Sequence, residues 1–373
     1  VPGAAILLSG DPGAGKSTLV MQLMTGAATT GRRSLLITGE ESTDQIALRA
    51  RRLGADRHDL QVAPSRSLPS VIATSEAERP HLLVIDSIQT LEDPRYEQPA
   101  GSVVQVRECA AALVAHAKAT GTAVIMVGHV TKDGSVAGPK ALEHVVDVLL
   151  TLDGEGDGTL RLLRSTKNRF GSCDETGVFT MRPSGLDPVE DPSSVLLADR
   201  SAGISGSCVF PSLQGSRALL VELQALVSKS DYPPPRRVAI GIEPRRMALL
   251  LGVMRKVLEL KVGEQDLFMS AAGGLAIREP AADLATCVAI YSARTGVAFP
   301  SSAVAVGEVG LGGELRRVPA LERRLAEARR LGFDEAIVPH GIDSGPQGMK
   351  LHSVRDISEA IAAFTARRAL ASA

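Results

Sequence analysis

Tryptophan is absent, and aromatic residues make up only 3% of the 373-residue chain. Stacked aromatic platforms therefore cannot be the main binding device of this protein. No apolar run approaches the roughly 18–20 residues that cross a bilayer, so a membrane partner or an integral membrane protein is not expected. The four cysteines, Cys109, Cys173, Cys208 and Cys287, are far apart and form no CxxC pair. That argues against a zinc site or a disulfide framework and fits a reducing cytoplasm. Neither charge sign is in excess: 41 Lys and Arg stand against 42 Asp and Glu. Bulk charge does not hold such a chain on nucleic acid, so any DNA contact must come from local loops or one face of an assembly. The opening VPGAAILLSG lacks the basic stretch of a signal peptide. It also begins without Met at the lead-in to a strand, and we expect an upstream segment to have been removed.

What is present is enough apolar sequence, 44%, to build two cores rather than one. Short apolar runs at 4–9, 34–39, 81–86, 122–128 and 145–152 alternate with amphipathic stretches at 16–30, 43–53 and 103–120. This alternation predicts a mostly parallel sheet covered on both faces. After 152, TLRLLRSTKNRFG and GVFTMRP read as antiparallel strands at the sheet edge. The stretch RPSGLDPVEDPSS (182–194) punctuates the chain. We therefore expect a first domain over 1–183, a linker at 184–194 and a second, α+β domain over 195–373. The second half predicts strands at 207–213, 217–228, 266–270, 303–309 and 335–338, and helices at 245–261, 282–294, 319–331 and 355–369.

Gly10-Asp11-Pro12-Gly13-Ala14-Gly15-Lys16-Ser17 matches the pattern G-x-x-x-x-G-K-[ST], between a predicted strand and a helix that continues through Thr18. Such a loop wraps backbone N–H groups around phosphate oxygens at the positive end of a helix. Lys16 is placed to reach the β- and γ-phosphates of ATP, and Ser17 to ligate Mg²⁺. Asp86 ends the run LLVID, where a carboxylate holds the same Mg²⁺ or, in the plainer reading, caps the following turn. Glu40 follows the strand SLLITG and is the candidate base for the attacking water, with Glu41 as the alternative. His129 ends TAVIMVGH and either senses the γ-phosphate or bonds a neighbouring loop.

Several stretches together, GDPGAGKSTL, TGEES, LLVIDSIQT, PAGSVVQVRE, GHVTKDGSVAGPKALEHVVD, STKNRFG and VGEVGLGGELRRV, resemble the RadA (Sms) family of bacterial DNA-repair proteins, within the RecA-like ATPase superfamily. The resemblance runs through nearly the whole chain. GHVTKDG and KNRFG carry more weight in it than the phosphate loop. It implies a RecA-like P-loop ATPase core followed by a domain similar to the Lon protease domain. It also implies a ring-shaped homo-hexamer that uses ATP to drive branch migration on single-stranded and branched DNA, with a RecA-type recombinase as partner. Zinc is implied only for a four-cysteine module upstream, whose cysteines this sequence does not contain. The setting is cytoplasmic, on the nucleoid when bound to DNA.

On that resemblance, Lys167 and Arg169 in RSTKNRFG are offered to a neighbouring subunit's γ-phosphate or to DNA in the ring channel. The plainer reading is a solvent-facing hairpin tip. Lys132 and Lys140, in the Gly-containing stretch 130–142, are candidate DNA contacts. Where the Lon-like domain would carry its Ser–Lys dyad, this chain has Ala281 and Leu315; a methyl and an isobutyl group supply neither nucleophile nor base. We therefore expect no peptidase activity. Arg316, Arg317, Arg323, Arg324, Arg329 and Arg330 are expected on one helix, with Arg316 and Arg317 as the candidate DNA contacts. A DNA-dependent ATPase motor is the leading expectation. An ATP-dependent protease and a nucleotide-switched scaffold are the rivals.

Overall fold

The computed structural model describes residues 1–55, 60–129, 139–154, 160–231, 233–342 and 344–371. The chain divides into two compact units, the first ending at Val189 and the second starting at Glu190.

In the first unit, β1 (Ala5–Ser9), α1 (Lys16–Thr29), β2 (Ser34–Thr38), α2 (Thr43–Arg52), β3 (Gln61–Pro64), α3 (Leu68–Glu78), β4 (Leu82–Asp86), α4 (Val103–Thr120), β5 (Ala123–Val127) and the short α5 (Pro139–Leu142) alternate. They are followed by β6 (Val148–Asp153), β7 (Leu160–Asn168), β8 (Thr176–Arg182) and β9 (Gly185–Pro188). The sheet order is β3-β2-β4-β5-β1-β6-β7-β8-β9. Strands β3 to β6 run parallel, and β7, β8 and β9 are antiparallel at one edge. The apolar runs are continuous because both faces are covered. Leu7, Ile37, Ile85 and Met126 enter one core with α3 and α4. Leu8, Leu36, Val84 and Ile125 enter the other with α1 and α2. Helix ends follow local chemistry: Ser42 and Gln45 form a capping box at α2, and Gly121 ends α4 in the left-handed conformation.

The stretch 184–194, expected as a linker, is mostly regular structure. Gly185–Pro188 is the last strand of the first sheet, paired with β8. Gln22 of α1 both accepts from Leu186 N at 2.9 Å and donates to Leu186 O at 3.1 Å. A partner 164 positions away in sequence thus completes this edge. Asp191 caps α6 (Pro192–Leu197), accepting from Ser194 N at 3.1 Å.

The second unit continues with β10 (Ser207–Gln214), β11 (Arg217–Lys229), β12 (Arg237–Ile240), α7 (Pro244–Val257), β13 (Gln265–Ala271) and α8 (Asp283–Thr295). There follow β14 (Ala303–Ala305), β15 (Glu308–Val309), β16 (Leu315–Arg316), α9 (Leu321–Arg330), β17 (Glu335–Pro339), β18 (Lys350–Val354) and α10 (Ile357–Ala371). Its seven-stranded sheet has the order β12-β13-β11-β10-β14-β17-β18 and mixes parallel with antiparallel pairs. Helix α8 is the most buried and packs on β10 and β11. The expected strand 303–309 is two elements, because β15 leaves the sheet to pair with β16. The helix expected to carry all six arginines starts only at Leu321, which leaves Arg316 and Arg317 outside it.

Candidate active site

The ends of β1, β2, β4 and β5 converge at the carboxyl edge of the parallel sheet. Register puts Thr38 opposite Asp86 and Asp86 opposite Val127, so Glu40, Asp86 and His129 leave the sheet side by side. Beside them the loop 10–17 connects β1 to α1. Gly10 (φ 150°) has no room for a side chain, since a Cβ there would lie 2.2 Å from Leu152 O. Gly15 (φ 106°) turns the chain into α1 where a Cβ would meet Met181. The first amides of α1 have no partner within the helix and point into this loop, which suits a phosphate group.

Lys16 is buried, and its Nζ donates to Gly10 O at 2.8 Å and Asp11 O at 2.9 Å. Burial pushes its ammonium below the usual lysine range, against the pull of Asp86, Asp11 and Glu40. Burial likewise pushes the Asp86 carboxyl up, opposed by a hydrogen bond from the Ser17 side chain. A half-buried carboxylate touching a hydroxyl, beside a phosphate loop, is a donor set that fits Mg²⁺.

The two glutamates part company. Glu41 is bound to Arg49 of α2, and its main chain is tied to Thr38 Oγ1, its N donating at 3.1 Å. Glu40 instead faces the neighbouring strand ends. Its Oε1 accepts from Ser87 Oγ at 2.6 Å and lies 3.9 Å from His129 Nε2. His129 Nδ1 is buried with no partner among the described residues. Ser87, directly after Asp86, was not picked out from sequence. The signal was there, a hydroxyl one position beyond the strand-terminal carboxylate, but its partner 47 positions away was not.

Lys167 and Arg169 lie at the opposite edge of the sheet. Lys167 pairs with Leu149 and is the next-to-last residue of β7. Its Nζ donates to Glu143 O at 2.5 Å and Val146 O at 2.8 Å. Arg169, in the turn beyond the strand, donates to Asp147 Oδ1 at 3.2 Å. Both cations thus converge on the segment 143–147. Lys140 is exposed on α5, whereas Lys132 falls outside the described residues.

In the second unit, Ala281 and Leu315 are linked through the segment 307–309: Gly307 N donates to Ala281 O at 3.0 Å, and Leu315 pairs with Val309. The arginine series does not form one face. Arg316 is shared by Glu314 and Glu308, Arg317 donates to Gly341 O at 2.8 Å, and Arg324 is 1% exposed.

Residues 1–135 match a family described as an AAA domain. The chain is 45% identical over 366 residues to the DNA repair protein RadA of Escherichia coli strain K12, covering 98% of this chain and 79% of that protein. It is 44% identical to RadA of Pseudomonas aeruginosa, over 98% and 81% of the two chains. For RadA of Mycolicibacterium smegmatis the identity is 42%, over 97% and 78%. A nucleotide-binding fold and similarity of this degree over nearly the whole of this chain lead to one conclusion: the chain belongs to the RadA family of DNA repair proteins.

Proposed function

We propose that this protein is a DNA-dependent ATPase motor that works as a homo-hexameric ring and drives branch migration during recombination and repair. Single-stranded and branched DNA are its track, and a RecA-type recombinase is its partner. ATP is its substrate, with the β- and γ-phosphates over the loop 10–17. Lys16 neutralises them, and Ser17 and Asp86 hold Mg²⁺, which supplies further charge neutralisation there. Glu40 orients and deprotonates the attacking water. The choice over Glu41 rests on contacts: Glu41 is committed to Arg49, while Glu40 stands beside Asp86 and His129. His129 senses the γ-phosphate.

The observation that carries the ring reading is the position of Lys167 and Arg169. Strand register sets both on the far edge of the sheet from their own phosphate loop, which supports a role at a neighbouring subunit. We read the second unit as a Lon-like fold that helps assembly without peptidase chemistry, since both dyad positions are apolar. The test is ATP turnover with and without single-stranded DNA, beside a sizing measurement. Stimulation in a hexamer is the expected result. Turnover indifferent to DNA points to the scaffold instead, and degradation of casein to the protease.

A further inference from the structure

We infer that Ser87 is the positioning residue for the Glu40 carboxylate. This rests on the reading of Glu40 as the base. Glu40 leaves the sheet on a two-residue step from β2, and its side chain is 48% exposed. A glutamate so exposed samples many rotamers, and ordering it at the reacting water costs side-chain entropy. The Ser87 hydroxyl removes that freedom. Ser87 is fully buried, and its Oγ donates to Glu40 Oε1 at 2.6 Å, a short bond of the charge-assisted kind. One carboxylate oxygen is thereby held, and Oε2 is left to accept a proton from water.

The donor is itself held fixed. Ser87 O accepts from Thr90 Oγ1 at 2.7 Å and from Thr90 N at 3.2 Å. The Thr90 side chain in turn fills the space above Gly39, where a Cβ would lie 2.0 Å from Thr90 Oγ1. Gly39 N donates to Asp86 O at 3.1 Å, and Arg66 Nε donates to Gly39 O at 2.9 Å. The residue before the base is therefore tied to Ser87 through Thr90 and directly to Asp86 O. Asp86 and Glu40 sit at the ends of adjacent strands, and Ser87 sets the second relative to the first.

The experiment is steady-state ATPase of the full chain with Ser87→Ala, Ser87→Cys, Glu40→Gln and the Ser87→Ala/Glu40→Gln double variant. A fluorescent ATP analogue measures nucleotide affinity in parallel. We expect Ser87→Ala to lower kcat about tenfold to a hundredfold, the scale set by misplacing a catalytic group. KM and analogue affinity should be unchanged. Ser87→Cys is slightly larger and donates only weakly, so it should fall with Ser87→Ala. In single turnover the double variant should be no slower than Glu40→Gln. Wild-type kcat in Ser87→Ala beside an inactive Glu40→Gln overturns the inference alone. So does a loss of kcat that is matched by lost affinity or that adds to the loss in Glu40→Gln, since both point to Asp86 or to general packing. Wild-type turnover in Glu40→Gln overturns the base assignment itself, and the inference with it.

Discussion

Replacing Lys167 with alanine should stop ATP turnover in a ring while leaving the phosphate loop of every chain intact. Lys167 pairs with Leu149, and Leu149 pairs with Leu7, upstream of Gly10 on β1. The ammonium turns further from the site, onto Val146 O. That carbonyl lies level with Ala5, whose amide donates to the adjacent Asp147 at 3.1 Å. From Ala5 to Gly10 the strand advances about 16 Å, so Lys167 cannot act on its own loop. Two of its three N–H groups are used on Glu143 and Val146, leaving one for a phosphate oxygen. A cation covering the γ-phosphate contributes ~10³–10⁵ in rate, about 4–7 kcal/mol of barrier.

The assay mixes Lys167→Ala chains one-to-one with Lys16→Ala chains before assembly. Each interface needs an intact loop from one parent and an intact finger from the other, so about a quarter of the interfaces in a closed ring should be active. Turnover should recover to about that fraction. No recovery in rings verified as mixed refutes the reasoning, as does wild-type ATPase in an isolated Lys167→Ala chain. ATPase retained with weakened DNA binding assigns the pair to the channel.

Two further outcomes concern stability. Arg324→Ala should destabilise the second unit by about 3–5 kcal/mol, the cost of breaking a buried ion pair from one side, read as the urea midpoint of that unit. A loss under ~1 kcal/mol contradicts the buried role. The Arg330 guanidinium holds the Asp191 carboxyl well below the usual carboxylate range. A depressed carboxyl adds stability above its unfolded pKa of ~3.9 and loses it as pH falls from there toward the folded value. Both side chains are more than a third exposed, 49% and 36%, so the contribution is under ~1 kcal/mol. Arg330→Ala should flatten the melting-temperature decline below about pH 4, and an unchanged acid slope would count against the pair.

Much of the first unit was legible because its signals are local. A strand, a glycine loop and a helix sit within 30 residues, and strand ends such as Asp86 are marked where an apolar run stops. Contacts between distant segments were not legible. Strand β9 looked like a linker because Gly, Pro and Asp dominate it, while the Gln22 side chain that satisfies Leu186 N and O lies in α1. Ser87 was passed over for the same reason. Strand β3 and helix α3 were missed because β3 is short and only half-buried, and the apolar residues of α3 are not gathered on one face.

The arginines of the second unit show how counting charges goes astray when periodicity is ignored. Leu321, Arg324, Leu325 and Ala328 fall at i, i+3, i+4 and i+7, the spacing of an inward helix stripe, and the last three are buried. Arg324 therefore sits at a core position. Its guanidinium lies 5.8 Å from the Phe210 ring centre. It donates to Pro211 O at 2.7 Å, Pro319 O at 3.0 Å and Glu279 Oε2 at 2.5 Å. Glu279 also accepts from Ser212 Oγ and Leu213 N, each at 2.8 Å, so its carboxylate ties β10 to the stretch that carries Ala281. Two arginines further along the helix are engaged as well. Arg329 donates to Gln347 O and Arg330 to Asp191, each fastening a loop or the entry to the unit. Arg316 already shares Glu308 and Glu314 and offers little net charge to a phosphate. Part of this run is thus a set of internal fastenings, while Arg316, Arg317 and Arg323 are exposed. In the proposed motor, Arg317 of this unit and Lys140 of the first are exposed and available to DNA phosphates.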